Sequence, residues 1–190
     1  MNNDTQNTKR DMRTRYVELT VRFSRKIDMT SWKERFLEAA SRFEDKDELE
    51  ISYDFSVPAS DNDILSLEGA LQTNLPLAFK ELLCEFNGID VKQKYWGKGH
   101  LYLSTSYILN DIPKYFRESG NYVPEKAELE SVVFFAQQNG LAVLFAICIK
   151  PFNEFQVGQV LSLESDTGEF ELECDSLDTF VETSEYCHLG

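Results

Sequence analysis

The stretch that most constrains this chain is residues 60–88, SDNDILSLEGALQTNLPLAFKELLCEFNG. Its first half predicts a helix from about Asp61 to Gln72. Ser60 is placed to cap it, and Asp61 and Asp63 put negative charge in the first turn, where a helix favours it. Ile64, Leu67 and Leu71 fall at i, i+3 and i+7 and so share one face. A second helix begins at Pro76, whose missing N–H is harmless in a first turn. Phe79, Leu82, Leu83 and Phe86 form its apolar stripe. Asn87-Gly88 ends it, because glycine takes a left-handed position without a Cβ clash. Only Thr73–Leu75 separates the two helices, so they fold back as a hairpin. Glu68 lies beside the buried face of the first helix. Its expected role is structural, bonding nearby backbone or a tyrosine hydroxyl.

Upstream, residues 1–15 are polar and of mixed charge, without periodicity, and are read as a disordered tail. Tyr16–Phe23 alternates, with Val17, Leu19, Val21 and Phe23 on one side, as a half-buried strand does. Ser31-Trp32-Lys33-Glu34 has the form of a capping box, and Trp32, Phe36, Ala40 and Phe43 keep one apolar face along the helix it opens. Leu49, Ile51, Tyr53 and Phe55 alternate again as a strand. Residues 16–55 therefore read as a β-α-β extension, which either adds to a main sheet or stands as a small subdomain. Residues 56–190 read as the principal domain.

Downstream, Gly97 and Gly99 flank Lys98 in what reads as a turn, and Leu101 and Leu103 begin a short strand. Tyr95, Trp96 and Tyr102 read as core aromatics rather than an exposed cluster. Ile108, Ile112, Tyr115 and Phe116 are spaced as a helix, with Pro113 making its middle suspect unless the helix starts near there. Residues 118–130 read mostly as loop. Ser131–Ala136 and Leu141–Ile149 are strand-prone runs joined by Gln137-Gln138-Asn139-Gly140, a hairpin signal. The second run is apolar at nearly every position, as a strand covered on both faces would be. Gly158–Glu164 and Glu169–Cys174 form another pair around Asp166-Thr167-Gly168. In the latter strand Phe170 and Leu172 are expected inward and Glu169, Glu171 and Glu173 outward. Ser176 caps a last helix with Leu177, Phe180 and Val181 facing in.

These motifs resemble the SUKH superfamily, which groups glucan-synthesis and cell-wall regulators with bacterial toxin-immunity proteins. The matching residues are Ile64, Leu67-Glu68, Leu71, Leu75-Pro76, Phe79, Leu82-Leu83 and Asn87-Gly88. A second match is the closing helix, Ser176-Leu177-Asp178-Thr179-Phe180-Val181. The resemblance covers about residues 57–186. It implies an α+β fold, a mixed and largely antiparallel β-sheet flanked by helices, here with an N-terminal β-α-β extension. It further implies a protein-binding module without catalysis. One form would neutralise a protein toxin, such as a nuclease. The other would regulate or scaffold a cellular partner, for instance in cell-wall regulation.

Charge narrows the partner. Residues 151–190 carry Glu154, Glu164, Asp166, Glu169, Glu171, Glu173, Asp175, Asp178, Glu182 and Glu185, with no Lys or Arg. Phosphate backbones are repelled by such a segment, so direct nucleic-acid binding is excluded. A basic protein, such as a basic toxin domain, is attracted and associates faster. The blander reading is a solvated face that aids solubility. The expected contact residues are Glu164, Asp166, Glu169, Glu171, Glu173 and Asp175.

No nucleophile elbow, Walker loop, zinc-protease motif or dinucleotide fingerprint is present. His100 and His188 stand in no motif, so no enzyme activity, cofactor or metal is expected. Cys84, Cys148, Cys174 and Cys187 have no metal-ligand spacing, and Cys84 and Cys148 read as small core residues. No apolar run is long enough for a transmembrane helix, and MNNDTQNTKRDMR has no signal-peptide core, so the expected location is the cytoplasm.

Overall fold

Among the described residues, each strand-prone run of this chain pairs with its neighbour in sequence, whether the connection between them is a turn or a longer segment carrying helices. A computed structural model describes residues 31–43, 51–93, 97–118, 123–138 and 142–183. Seven antiparallel strands lie in chain order: β1 (Ile51–Phe55), β2 (Ile89–Gln93), β3 (Gly97–Tyr102), β4 (Val132–Gln138), β5 (Val143–Cys148), β6 (Val160–Glu164) and β7 (Phe170–Cys174). The helices among the described residues are α1 (Trp32–Phe43), α2 (Asp61–Leu71), α3 (Leu77–Glu85), α4 (Thr105–Glu118), α5 (Lys126–Leu129) and α6 (Leu177–Thr183). The fold is α+β, as expected. The expected strand Tyr16–Phe23, the tail, and Tyr95 and Trp96 lie outside the described residues.

Residues paired across strands share a face, and one row crosses the whole sheet. It runs Phe55, Ile89, Tyr102, Ala136, Phe145, Ser162, Glu171. Helices cover the apolar part of this row. Phe36 of α1 stands edge-on to Tyr53, Phe55 and Tyr102 at 5.1, 5.7 and 5.7 Å between ring centres. Phe79 of α3 meets Phe135, and Phe180 of α6 meets Phe135 and Phe145. The last two positions of the row, Ser162 and Glu171, are polar. On the opposite face, Phe116 of α4 packs on Phe134, which meets Phe170. Strand β5 is buried at nearly every position, on both faces.

Helix α1 is fastened at both ends of its contact surface. The Glu85 carboxylate at the end of α3 accepts from the Trp32 and Lys33 amides at 2.9 and 3.2 Å, supplying acceptors to a helix start. Arg35 reaches Asp178 and Glu182 of α6 at 2.9 and 3.0 Å and lies over the Trp32 ring. Trp32, Phe36, Ala39 and Ala40 are buried. Of residues 16–55, the described part places β1 in the main sheet beside β2, with α1 packed on that sheet.

Three local expectations are corrected. Helix α3 stops at Glu85, and Phe86 is already extended, so Gly88 is not its left-handed cap. Gly88 has φ +106° at the entry to β2, and a Cβ there would stand 3.0 Å from the Tyr102 carbonyl and 3.1 Å from the Ser104 amide. Neighbouring Asn87 accepts from the Thr105 amide at 2.8 Å and donates to the Thr105 hydroxyl at 3.0 Å, holding the start of α4. Second, Pro113 lies within α4 rather than breaking it. It faces solvent, so the Leu109 carbonyl it fails to bond can be hydrated. Third, Gly97 and Gly99 belong to β3, opposite Gln93 and Val91. Pairing with β2 overrides their weak strand preference.

Candidate functional site

Two groups of residues carried functional expectations, Glu68 and the acids of the last strand pair. Glu68 closes the helix hairpin. Its carboxylate accepts from the Leu75 amide at 2.9 Å and meets the Lys80 ammonium at 2.6 Å. The Lys80 bond first, then the Leu75 amide, hold its pKa below the usual glutamate value. Its backbone carbonyl also accepts from Thr73. With only 15% of the side chain exposed, Glu68 is committed to fixing the α2–α3 link, through backbone as expected.

The acids are placed by the β6–β7 hairpin. Gly168, at φ +71°, completes its turn and donates to the Glu164 carbonyl at 3.0 Å, while the Glu169 amide donates to the Thr167 hydroxyl at 3.3 Å. Glu164 lies opposite Val143 and Glu171 opposite Ser162, which puts both carboxylates on the face that α6 covers further along. Asp166 in the turn and Glu169 just after it are exposed, as are Glu164 and Glu171. Arg35, Arg42, Lys80, Lys92 and Lys126 each meet a carboxylate, but none meets one of these four. The other two expected residues are differently engaged. Glu173 falls at a register shift between Val160 and Leu161 and is half-buried, out of step with Glu171. Asp175 accepts from the Gln159 amide group at 3.2 Å. The fold thus brings four of the six carboxylates together at the hairpin end and sets two apart.

Leu172 takes its expected face without being buried there. It lies opposite Leu161 on the Phe170 face, but β7 is the last described strand of the sheet and no helix among the described residues covers it there. It is 50% exposed. Alternation in sequence identifies a face; only the strand's place in the sheet shows whether that face is covered.

Cys148 and Cys174 are held as thiols. Burial pushes the Cys174 thiol up to about 11, and Cys148, wholly buried, is also raised by burial. A thiol held protonated is a poor nucleophile and metal ligand. Cys84 is exposed, contrary to expectation. It follows Leu83 directly and so sits about 100° around α3 from the buried stripe. Cys187 and His188 lie outside the described residues, and the His100 side chain is not described. Among the described residues, no three His, Cys, Asp or Glu side chains converge on a point that could hold a metal, and no helix is long and apolar enough to cross a membrane.

A sequence model of the SMI1 / KNR4 family (SUKH-1) matches residues 58–183, from the start of the helix hairpin to the end of α6. No curated protein matches the chain.

Proposed function

This chain belongs to the SMI1 / KNR4 family (SUKH-1), and on that premise we propose that it is an immunity protein that binds and neutralises a basic toxin domain. The family includes immunity proteins and related regulators, and its domain is in general a non-enzymatic module for protein–protein interaction. In this reading the chain works in the cytoplasm, carries no cofactor or metal and catalyses nothing.

The observation that supports the reading best is the unpaired charge at the β6–β7 end. Glu164, Asp166, Glu169 and Glu171 are exposed and without an ion-pair partner among the described residues. Four like charges on one hairpin repel one another, and no basic side chain among the described residues offsets that repulsion. A basic surface would turn that repulsion into attraction. A toxin that cleaves nucleic acid needs such a surface for its own substrate, so an acidic body seated on it blocks substrate at the same stroke. Glu173 and Asp175 would stand at the rim of the contact.

The test is co-purification of the full chain with the toxin domain encoded beside it, at low and high salt. Replacing Glu164, Asp166, Glu169 and Glu171 by their amides should cut the association rate by at least about tenfold at low salt, with little change in thermal stability. Undiminished association by the fourfold variant would refute this surface. Absence of association with a genuine neighbouring toxin would refute the immunity role and favour the regulators' kind of cellular partner.

A further inference from the structure

We propose that the partner adds an extended strand to the outer edge of β7, and that this strand alternates basic and apolar side chains. The inference rests on the acidic-contact reading above and specifies its geometry. Among the described residues β7 is the last strand of the sheet, and no strand pairs with its outer edge. An open edge presents a row of backbone donors and acceptors to any extended chain, and proteins guard such edges with charge. Here the guard is one-sided. On one face of the edge stand Glu171 and, two positions along β6 from its partner Ser162, Glu164; on the other stand Phe170 and the half-exposed Leu172.

That asymmetry selects the occupant. A second copy of β7 would bring Glu171 and Glu169 against their equivalents, in a chain of net charge −14, and like charges across a strand pair are destabilising. A strand with Lys or Arg at every second position meets the carboxylates on one face. Its intervening apolar residues meet Leu172 and Phe170 on the other. The period of two in the added strand is a requirement of the pleat, and strand addition draws affinity from the backbone and specificity from alternate side chains.

The experiment compares two labelled nine-residue peptides of identical composition against the full chain. One alternates lysine and valine; the other places the lysines in one block and the valines in another. The alternating peptide should bind at least about tenfold more tightly and slow amide exchange across Phe170–Cys174. Glu171→Lys and Leu172→Ser should each weaken it several-fold; both sites are exposed on an edge, and unchanged thermal unfolding will show that the fold is kept. Methylating alternate backbone nitrogens of the peptide should abolish binding without altering its charge. Equal, salt-sensitive binding of both peptides would overturn strand addition while leaving the acidic contact standing. Binding of neither peptide would overturn strand addition too. Binding that ignores Glu171→Lys would overturn the basic character assigned to the strand.

Discussion

Three glycines in this fold should answer the same substitution, alanine, with three different results. Gly88 has φ +106°, and a Cβ there would lie 3.0 Å from the Tyr102 carbonyl, 3.1 Å from the Ser104 amide and 3.4 Å from the Ser104 Cα. All three atoms are backbone, at the junction of β3 and α4, so none can swing aside as a side chain can. An L-residue in left-handed backbone costs about 1–2 kcal/mol. Relieving the contact means shifting Ser104, which disturbs the two Asn87–Thr105 bonds beside it at about 0.5–1.5 kcal/mol each. Gly88→Ala should therefore destabilise by about 2–5 kcal/mol, or about 4–20 °C in melting temperature for a chain of this length. Gly158 separates the two causes: φ is +95°, but nothing lies within 4 Å of the added Cβ. Gly158→Ala should carry only the conformational part, about 1–2 kcal/mol. Gly69 sits inside α2 with nothing within 4 Å, so alanine there should stabilise by about 0.5–1 kcal/mol through helix propensity. Urea unfolding of the three variants measures the series. If Gly88→Ala destabilises no more than Gly158→Ala, the close approach of backbone at Gly88 plays no part in stability and the reasoning fails.

Two further outcomes follow from the hairpin and from α1. Glu68→Gln should cost about 1–2 kcal/mol at neutral pH, since bonds to charged groups are the stronger ones. The folded pKa of Glu68 lies below the ordinary 4.5, so its contribution is complete above the unfolded value and is lost as pH falls through the folded one. The stability gap between the two proteins, followed by urea unfolding, should hold above about pH 5 and narrow as the medium becomes more acidic; a gap independent of pH would show that the charge is irrelevant. For the N-terminal part, we propose that the boundary at residue 56 divides the sequence without dividing the folding unit. Deleting residues 1–55 removes the cover over Tyr102 and Phe86 and makes β2 an edge, so the remainder should aggregate or lose cooperative unfolding in size-exclusion and calorimetric measurements. A soluble remainder melting near the full-length temperature would contradict this.

The fold was legible wherever one residue pattern had one physical meaning. Ser60 before Asp63 reads as a cap, and it is one: the Ser60 hydroxyl accepts from the Asp63 amide, and the Asp63 carboxylate accepts from the Ser60 amide at 2.8 Å. Ser176 likewise accepts from the Thr179 amide at 3.1 Å. The stripe Phe79, Leu82, Leu83, Phe86 is fully buried. Reading failed where a pattern admits two meanings. Asn-Gly after a helix looks like a helix end, yet here the glycine admits the backbone of another segment, and the asparagine bonds a helix that begins 18 positions later. Two glycines around a lysine look like a turn until a neighbouring strand supplies hydrogen bonds. Such cases are decided by residues distant in sequence, and no local window contains them.

The candidate surface divides along the same line. That the last forty residues repel phosphate and attract cations follows from composition, which needs no coordinates. That Glu164 and Glu171 share a face depends on the β6–β7 register, and that Glu173 does not join them depends on one irregular step in it. The exposed Leu172 is the sharper lesson. An alternating strand assigns it to the apolar side, and apolar implies covered only for a strand with layers packed over it. At the end of the described sheet that inference lapses, leaving an apolar side chain beside carboxylates with no ion-pair partner among the described residues. Charge alone would attract any cationic surface, with a strength that fades as salt screens it. A backbone edge bearing charge on one face and an apolar residue on the other would discriminate by pattern as well as by sign, as the proposed binding of one basic partner among many requires.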